Sequence, residues 1–80
     1  MAKRKIRLHA GDTLRDVMKE RNMTVEYLAI RTGSSVAYIN QVLNGIKPIT
    51  DGFANHLQYS LNIDASFWIN LQHQYDSELL

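Results

Sequence analysis

The chain contains no cysteine. Disulfides and thiolate-held metal ions, the usual staples of small domains, are therefore excluded as sources of stability, and the absence suits a reducing compartment. One proline, Pro48, interrupts 80 residues, so helical segments can run freely on either side of it. No apolar run approaches the length that spans a bilayer. The basic start, residues 1–7, is not followed by the apolar core of a secretion signal. These absences set a cytoplasmic protein without a membrane partner as the expectation. Eighty residues make one domain with a modest core.

A further absence divides the chain. No lysine or arginine follows Lys47, while Asp51, Asp64, Asp76 and Glu78 give that part a charge of −4. Residues 1–47 hold all nine Lys and Arg with four acids, a charge of +5, so the formal net charge of +1 conceals two poles. A basic front half is the electrostatic footprint of a phosphate binder, and the acidic part is expected to face away from DNA. Lys3, Arg4, Lys5 and Arg7, with Ile6 and Leu8 interleaved, form a basic tail at residues 1–8. The domain proper is expected at 9–80.

Apolar periodicity predicts five helices and no strand. The first, at 12–21, carries Leu14, Val17 and Met18 on one face, with Asp12 or Thr13 as its cap and Asn22 as its stop. Thr24 caps a second helix whose inward stripe is Leu28 and Ala29. Gly33 then stands where a left-handed residue ends a helix. Ser34 and Ser35 can start a third helix at once, with Ile39, Val42 and Leu43 inward and Asn44-Gly45 as its end. Thr50 or Asp51 opens a fourth, carrying Phe53, Ala54, Leu57 and Leu61. Asp64 opens a fifth, whose apolar side is Phe67, Trp68, Leu71 and Tyr75. Leu14, Leu28, Ile39, Leu43, Leu57 and Trp68 are the expected common core. The fold class is all-α, a five-helix bundle containing a helix-turn-helix.

The stretch 24–43 carries the functional signal. Two short helices joined by a tight turn at Gly33, with Ala29 small where they cross, present the second helix outward. Ile39 and Val42 anchor it, which leaves Val36, Ala37, Tyr38, Asn40 and Gln41 available to base edges in the major groove. Asn40 or Gln41 can pair with adenine, and Val36 and Ala37 can meet thymine methyls. Amides at Ser34 and Ser35 can hold a phosphate. Val36 is open to a second reading, packing on Val25, and Tyr38 to two, as an exposed aromatic or as a phosphate donor. Arg15, Lys19 and Arg21 recur at helical spacing and read as a solvated face.

These residues resemble the phage-repressor-like (XRE) helix-turn-helix superfamily, and within it the HigA-type antitoxin, or plasmid-maintenance antidote, proteins. The resemblance runs from His9 to Tyr75. It is carried by His9-Ala10-Gly11, Leu28-Ala29, Gly33, Ile39, Val42-Leu43-Asn44-Gly45, Pro48-Ile49-Thr50, Phe67-Trp68-Ile69-Asn70-Leu71-Gln72 and Tyr75-Asp76. It implies a phage-repressor-like bundle, a homodimer on a palindromic operator in double-stranded DNA, transcriptional repression and, in many members, a ribonuclease toxin as protein partner. It also implies that Asn44 and Lys47 lie near the sugar-phosphate backbone; Arg31 is added to the phosphate set. The chain departs from the pattern at Ala10, where the family has proline, at Val25, where it often has a polar residue, and at Val36, where it commonly has arginine or glutamine.

Enzymatic readings find no support. His9, His56 and His73 lack metal-ligand spacing, and no phosphate-binding glycine loop or nucleophile–base pair is present, so no cofactor and no metal are expected. The competing reading is a protein-interaction module on the same scaffold, a toxin-neutralising antitoxin or the N-terminal module of a longer protein, with weak DNA binding. The C-terminal part, with Ile69, Leu79 and Leu80, is the expected dimer surface.

Overall fold

Short helices need their first-turn amides satisfied, and here hydroxyl side chains do much of that work. The computed structural model describes residues 9–78, and in it five helices follow in order, with no strand among the described residues. These are α1 (Ala10–Glu20), α2 (Val25–Thr32), α3 (Val36–Leu43), α4 (Asp51–Leu61) and α5 (Ala65–Glu78). The basic tail at 1–8 and Leu79 and Leu80 lie outside the described residues. The hydroxyls of Thr24, Ser35 and Thr50 each accept the backbone N–H three residues on, at 3.0, 3.0 and 3.1 Å.

One helix start differs from expectation, and another, α5 directly after Asp64, gains a nonlocal acceptor. The N-cap of α1 is His9 rather than Asp12 or Thr13. Asp12 lies inside the first turn, and its carboxylate reaches back to accept the His9 N–H at 3.2 Å, so the acid caps from within. At the start of α5 the Ala65 N–H donates to the Gln58 side chain of α4 at 2.8 Å, so a neighbouring helix supplies an acceptor there.

The core is one cluster drawn from every helix. Leu14, Leu28, Ile39, Leu57 and Trp68 are fully buried, with Met18, Leu43, Phe53 and Leu61 around them. Phe67 is a correction to the expected inner face of α5. Adjacent helical residues are about 100° apart, so Trp68, sharing a stripe with Ala65 and Gln72, leaves Phe67 outside. Phe67 is 43% exposed and meets the Trp68 ring edge-on. Tyr75 and Leu71 are half-buried. The backbone of α5 runs beside α4 and α1 and not beside α2 or α3, which puts it away from the helix-turn-helix. Among the described residues no helix is long and apolar enough to cross a membrane.

Candidate nucleic-acid interface

The turn between α2 and α3 depends on Gly33, whose φ is 70°. A Cβ there would meet nothing within 4 Å, so the backbone conformation and not crowding calls for glycine. The Ser34 N–H closes the turn by donating to the Ala29 carbonyl at 3.0 Å. That commits one of the amides expected to serve a phosphate.

From Ser35 onward α3 has two unlike sides. Ile39, Val42 and Leu43 are buried, and Ala37, Asn40 and Asn44 are exposed on the opposite side. Gln41 is half-buried beside them, and Val36, at the first position of the helix, is 37% exposed. Val25 packs against the core, whereas Val36 does not belong to the core cluster. Four of the five residues expected at base edges thus occupy the outward side of one helix. Tyr38 is placed differently: it is half-buried, its hydroxyl donates to the Pro48 carbonyl at 2.9 Å, and its ring meets Phe53 edge-on at 5.1 Å. Its phenol braces α3 against the loop that follows.

The residues expected at phosphates flank this helix. Asn44 is the exposed C-cap of α3. The N–H groups of Ile46 and Lys47 both donate to the Gln41 carbonyl, at 2.8 and 3.2 Å, which folds exposed Lys47 back to the end of α3. Ser35 sits at the other end. Arg31, on the last turn of α2, donates to the Tyr27 hydroxyl at 2.8 Å and lies over the Tyr27 ring. No charged side chain lies within α3 itself, Val-Ala-Tyr-Ile-Asn-Gln-Val-Leu. Its cations are therefore peripheral.

Several residues brace helix ends and the loop after α3 through contacts distant in sequence. Arg15 of α1 donates to the Leu43 carbonyl at 3.0 Å and to Asn44 Oδ1 at 3.3 Å. A guanidinium on the last carbonyl of α3 satisfies an orphan acceptor and complements the helix dipole. Its partners lie 28 and 29 residues away, so no local pattern announces it. Arg21 likewise donates to the Leu61 carbonyl at the end of α4. Buried Gln72 of α5 accepts the Ile49 N–H at 2.9 Å and donates to Asp76 at 3.0 Å, a second tether on the loop that Tyr38 holds at Pro48. His9 packs against Gly45 and meets Tyr75 edge-on at 6.1 Å. The separate motif fragments His9-Ala10-Gly11, Asn44-Gly45, Pro48-Ile49-Thr50 and Gln72 to Asp76 thus converge on one junction, at the C-terminal end of α3.

No curated protein sequence matches the chain. Among solved structures it is similar to the Pseudomonas aeruginosa antitoxin HigA, solved with the higBA promoter. That match has 27% identity over 92% of this chain and 82% of that one, with a TM-score of 0.87. An addiction-module antidote of the HigA family from Coxiella burnetii matches at 26% identity over 94% of this chain and 83% of its own, with a TM-score of 0.84. A Pseudomonas aeruginosa protein solved in complex with a 28 bp operator DNA matches at 27% identity over 92% and 82% of the two chains, with a TM-score of 0.87. The helix-turn-helix family model covers residues 14–55, from Leu14 in α1 to the second turn of α4 and including the whole of α2 and α3. The chain is a member of the helix-turn-helix family.

Proposed function

We propose that the protein is a sequence-specific DNA-binding regulator of the antitoxin type, a repressor that binds a palindromic operator as a dimer and acts by binding rather than catalysis. The observation that carries this reading is the outward side of α3, where Val36, Ala37, Asn40 and Gln41 stand clear of the core beside Asn44 and Lys47. A helix held this way by a preceding short helix enters the major groove with its N-terminal end leading. Similar proteins solved on a promoter and on an operator support it. In this reading Ser34, through its hydroxyl since its amide is committed to Ala29, meets the sugar-phosphate backbone together with Ser35, Asn44, Lys47 and Arg31 to fix the register, and the cytoplasm is the compartment. A pair joined through α5 leaves both recognition helices free, because α5 runs beside α1 and α4 only. Phe67 is exposed on α5, whereas Ile69 packs partly on the core.

Selection from random-sequence duplexes, followed by titration of the selected site, tests the proposal. A preferred site should bind at least about tenfold more tightly than random DNA of the same length, a minimal margin beside the roughly thousandfold or more usual for specific recognition. If no sequence reaches that margin, the regulator reading fails. The second reading, a surface for a protein partner such as a toxin, is favoured by Ile30 and Tyr59, each 79% exposed.

A further inference from the structure

We infer that the half-site read by α3 is built of A·T pairs, with thymine methyls against Val36 and Ala37 and adenine edges on Asn40 and Gln41; this rests on the DNA-binding reading above. The inference follows from what the outward side of α3 offers and what it lacks. Guanine presents two acceptors, N7 and O6, which the forked donors of arginine or the ammonium of lysine match best. No such side chain lies on α3. The guanidinium that does reach α3, Arg15, is engaged with the Leu43 carbonyl and Asn44 Oδ1, and Arg31 is folded onto Tyr27.

Asn40 and Gln41 carry amides, each with one donor and one acceptor. That pair matches the N7 acceptor and N6 donor of adenine. Val36 and Ala37 place apolar surface at the end of the helix that leads into the groove, and Val36 is branched at Cβ, so its methyls are held in few rotamers. The thymine 5-methyl is the apolar group a base pair shows in the major groove. Against a G·C pair Val36 and Ala37 would strip water from polar edges and return no hydrogen bond. An A·T pair satisfies both kinds of residue. Base preference then comes from uncharged contacts, while the salt dependence comes from the flanking cations.

Atom-level changes in the DNA test this without relying on any variant folding. Starting from the selected duplex, each thymine is replaced in turn by deoxyuridine and each adenine by 7-deazaadenine, and binding is measured by fluorescence anisotropy. One or two deoxyuridines in the half-site should weaken binding about three- to fourfold, the value of one buried methyl. One 7-deazaadenine should weaken it roughly fivefold or more. Val36→Ala should no longer sense the critical deoxyuridine, and Asn40→Ala or Gln41→Ala should no longer sense the 7-deazaadenine. A selected half-site of G·C pairs under α3 overturns the inference. So does full tolerance of both replacements while specific binding persists, and in both cases the DNA-binding reading stands. Absence of any preferred sequence overturns that reading and this inference with it.

Discussion

Substituting Gly11 by alanine adds a methyl where α1 touches the backbone of α3. The new Cβ would run into the Val42 carbonyl oxygen, and it would lie 2.9 Å from both the Val42 carbonyl carbon and His9 Nδ1. Two of these three atoms are backbone of α3, so relief requires α1 and α3 to shift relative to each other. Overpacking of this kind costs about 1–3 kcal/mol, against which alanine regains up to ~1 kcal/mol of helix propensity. The net expectation is a loss of about 1–2 kcal/mol, and at 4–8 °C per kcal/mol for a domain of this size the melting temperature should fall by roughly 5–15 °C. Gly52 supplies the control. It lies in α4, a Cβ there meets nothing within 4 Å, and its backbone is not left-handed. Gly52→Ala should therefore stabilise by about 0.5–1 kcal/mol through propensity and unfolded-state entropy. Thermal unfolding followed by circular dichroism reads both variants, and operator titration shows whether the displaced helix binds less tightly. A Gly11→Ala protein that melts at or above the parent temperature and binds DNA unchanged would refute the close packing of α1 on α3.

Leu43→Ala empties a buried position of α3 and should cost about 2–5 kcal/mol by denaturant unfolding. Gln72→Ala removes the acceptor of the buried Ile49 N–H, and an unpaired amide there should cost about 1–3 kcal/mol by the same measurement. Lys47→Ala should weaken binding to every DNA sequence alike and lower the slope of log K against log salt by roughly one, read from titrations at several salt concentrations. Analytical ultracentrifugation with operator present should show two protein chains per palindrome, whereas a single chain at all concentrations would remove the dimer.

Much of the fold was legible because its signals are local. Thr24, Ser35 and Thr50 cap the helices they precede, and Gly33 closes the turn, because each acts within three or four residues of itself. The inward stripe Ile39, Val42 and Leu43 follows from helical period alone, and so does the outward side that forms the candidate site. What the sequence hid is nonlocal or breaks a residue's usual habit. Arg15 and Arg21 read as a solvated face, yet each reaches a helix end distant in sequence. Gln72 is buried and accepts the Ile49 N–H, 23 residues away in sequence, so no local pattern announces its role. His9 is an unusual N-cap, recognisable only through the aspartate three residues on. Phe67 and Trp68 are both apolar, and only packing decides which one turns inward.

Nuclear magnetic resonance can show residue by residue whether α3 is the surface that reads DNA. Uniformly ¹⁵N-labelled protein is titrated with the selected duplex, and the amide of every residue is followed. The largest changes are expected along the outward side of α3, at Val36, Ala37, Asn40 and Gln41, with a second group at Asn44 and Lys47. The outer face of α5, from Phe67 to Asn70, should respond only where two copies meet. Changes concentrated around Ile30 and Tyr59, with the amides of α3 unmoved, would contradict it.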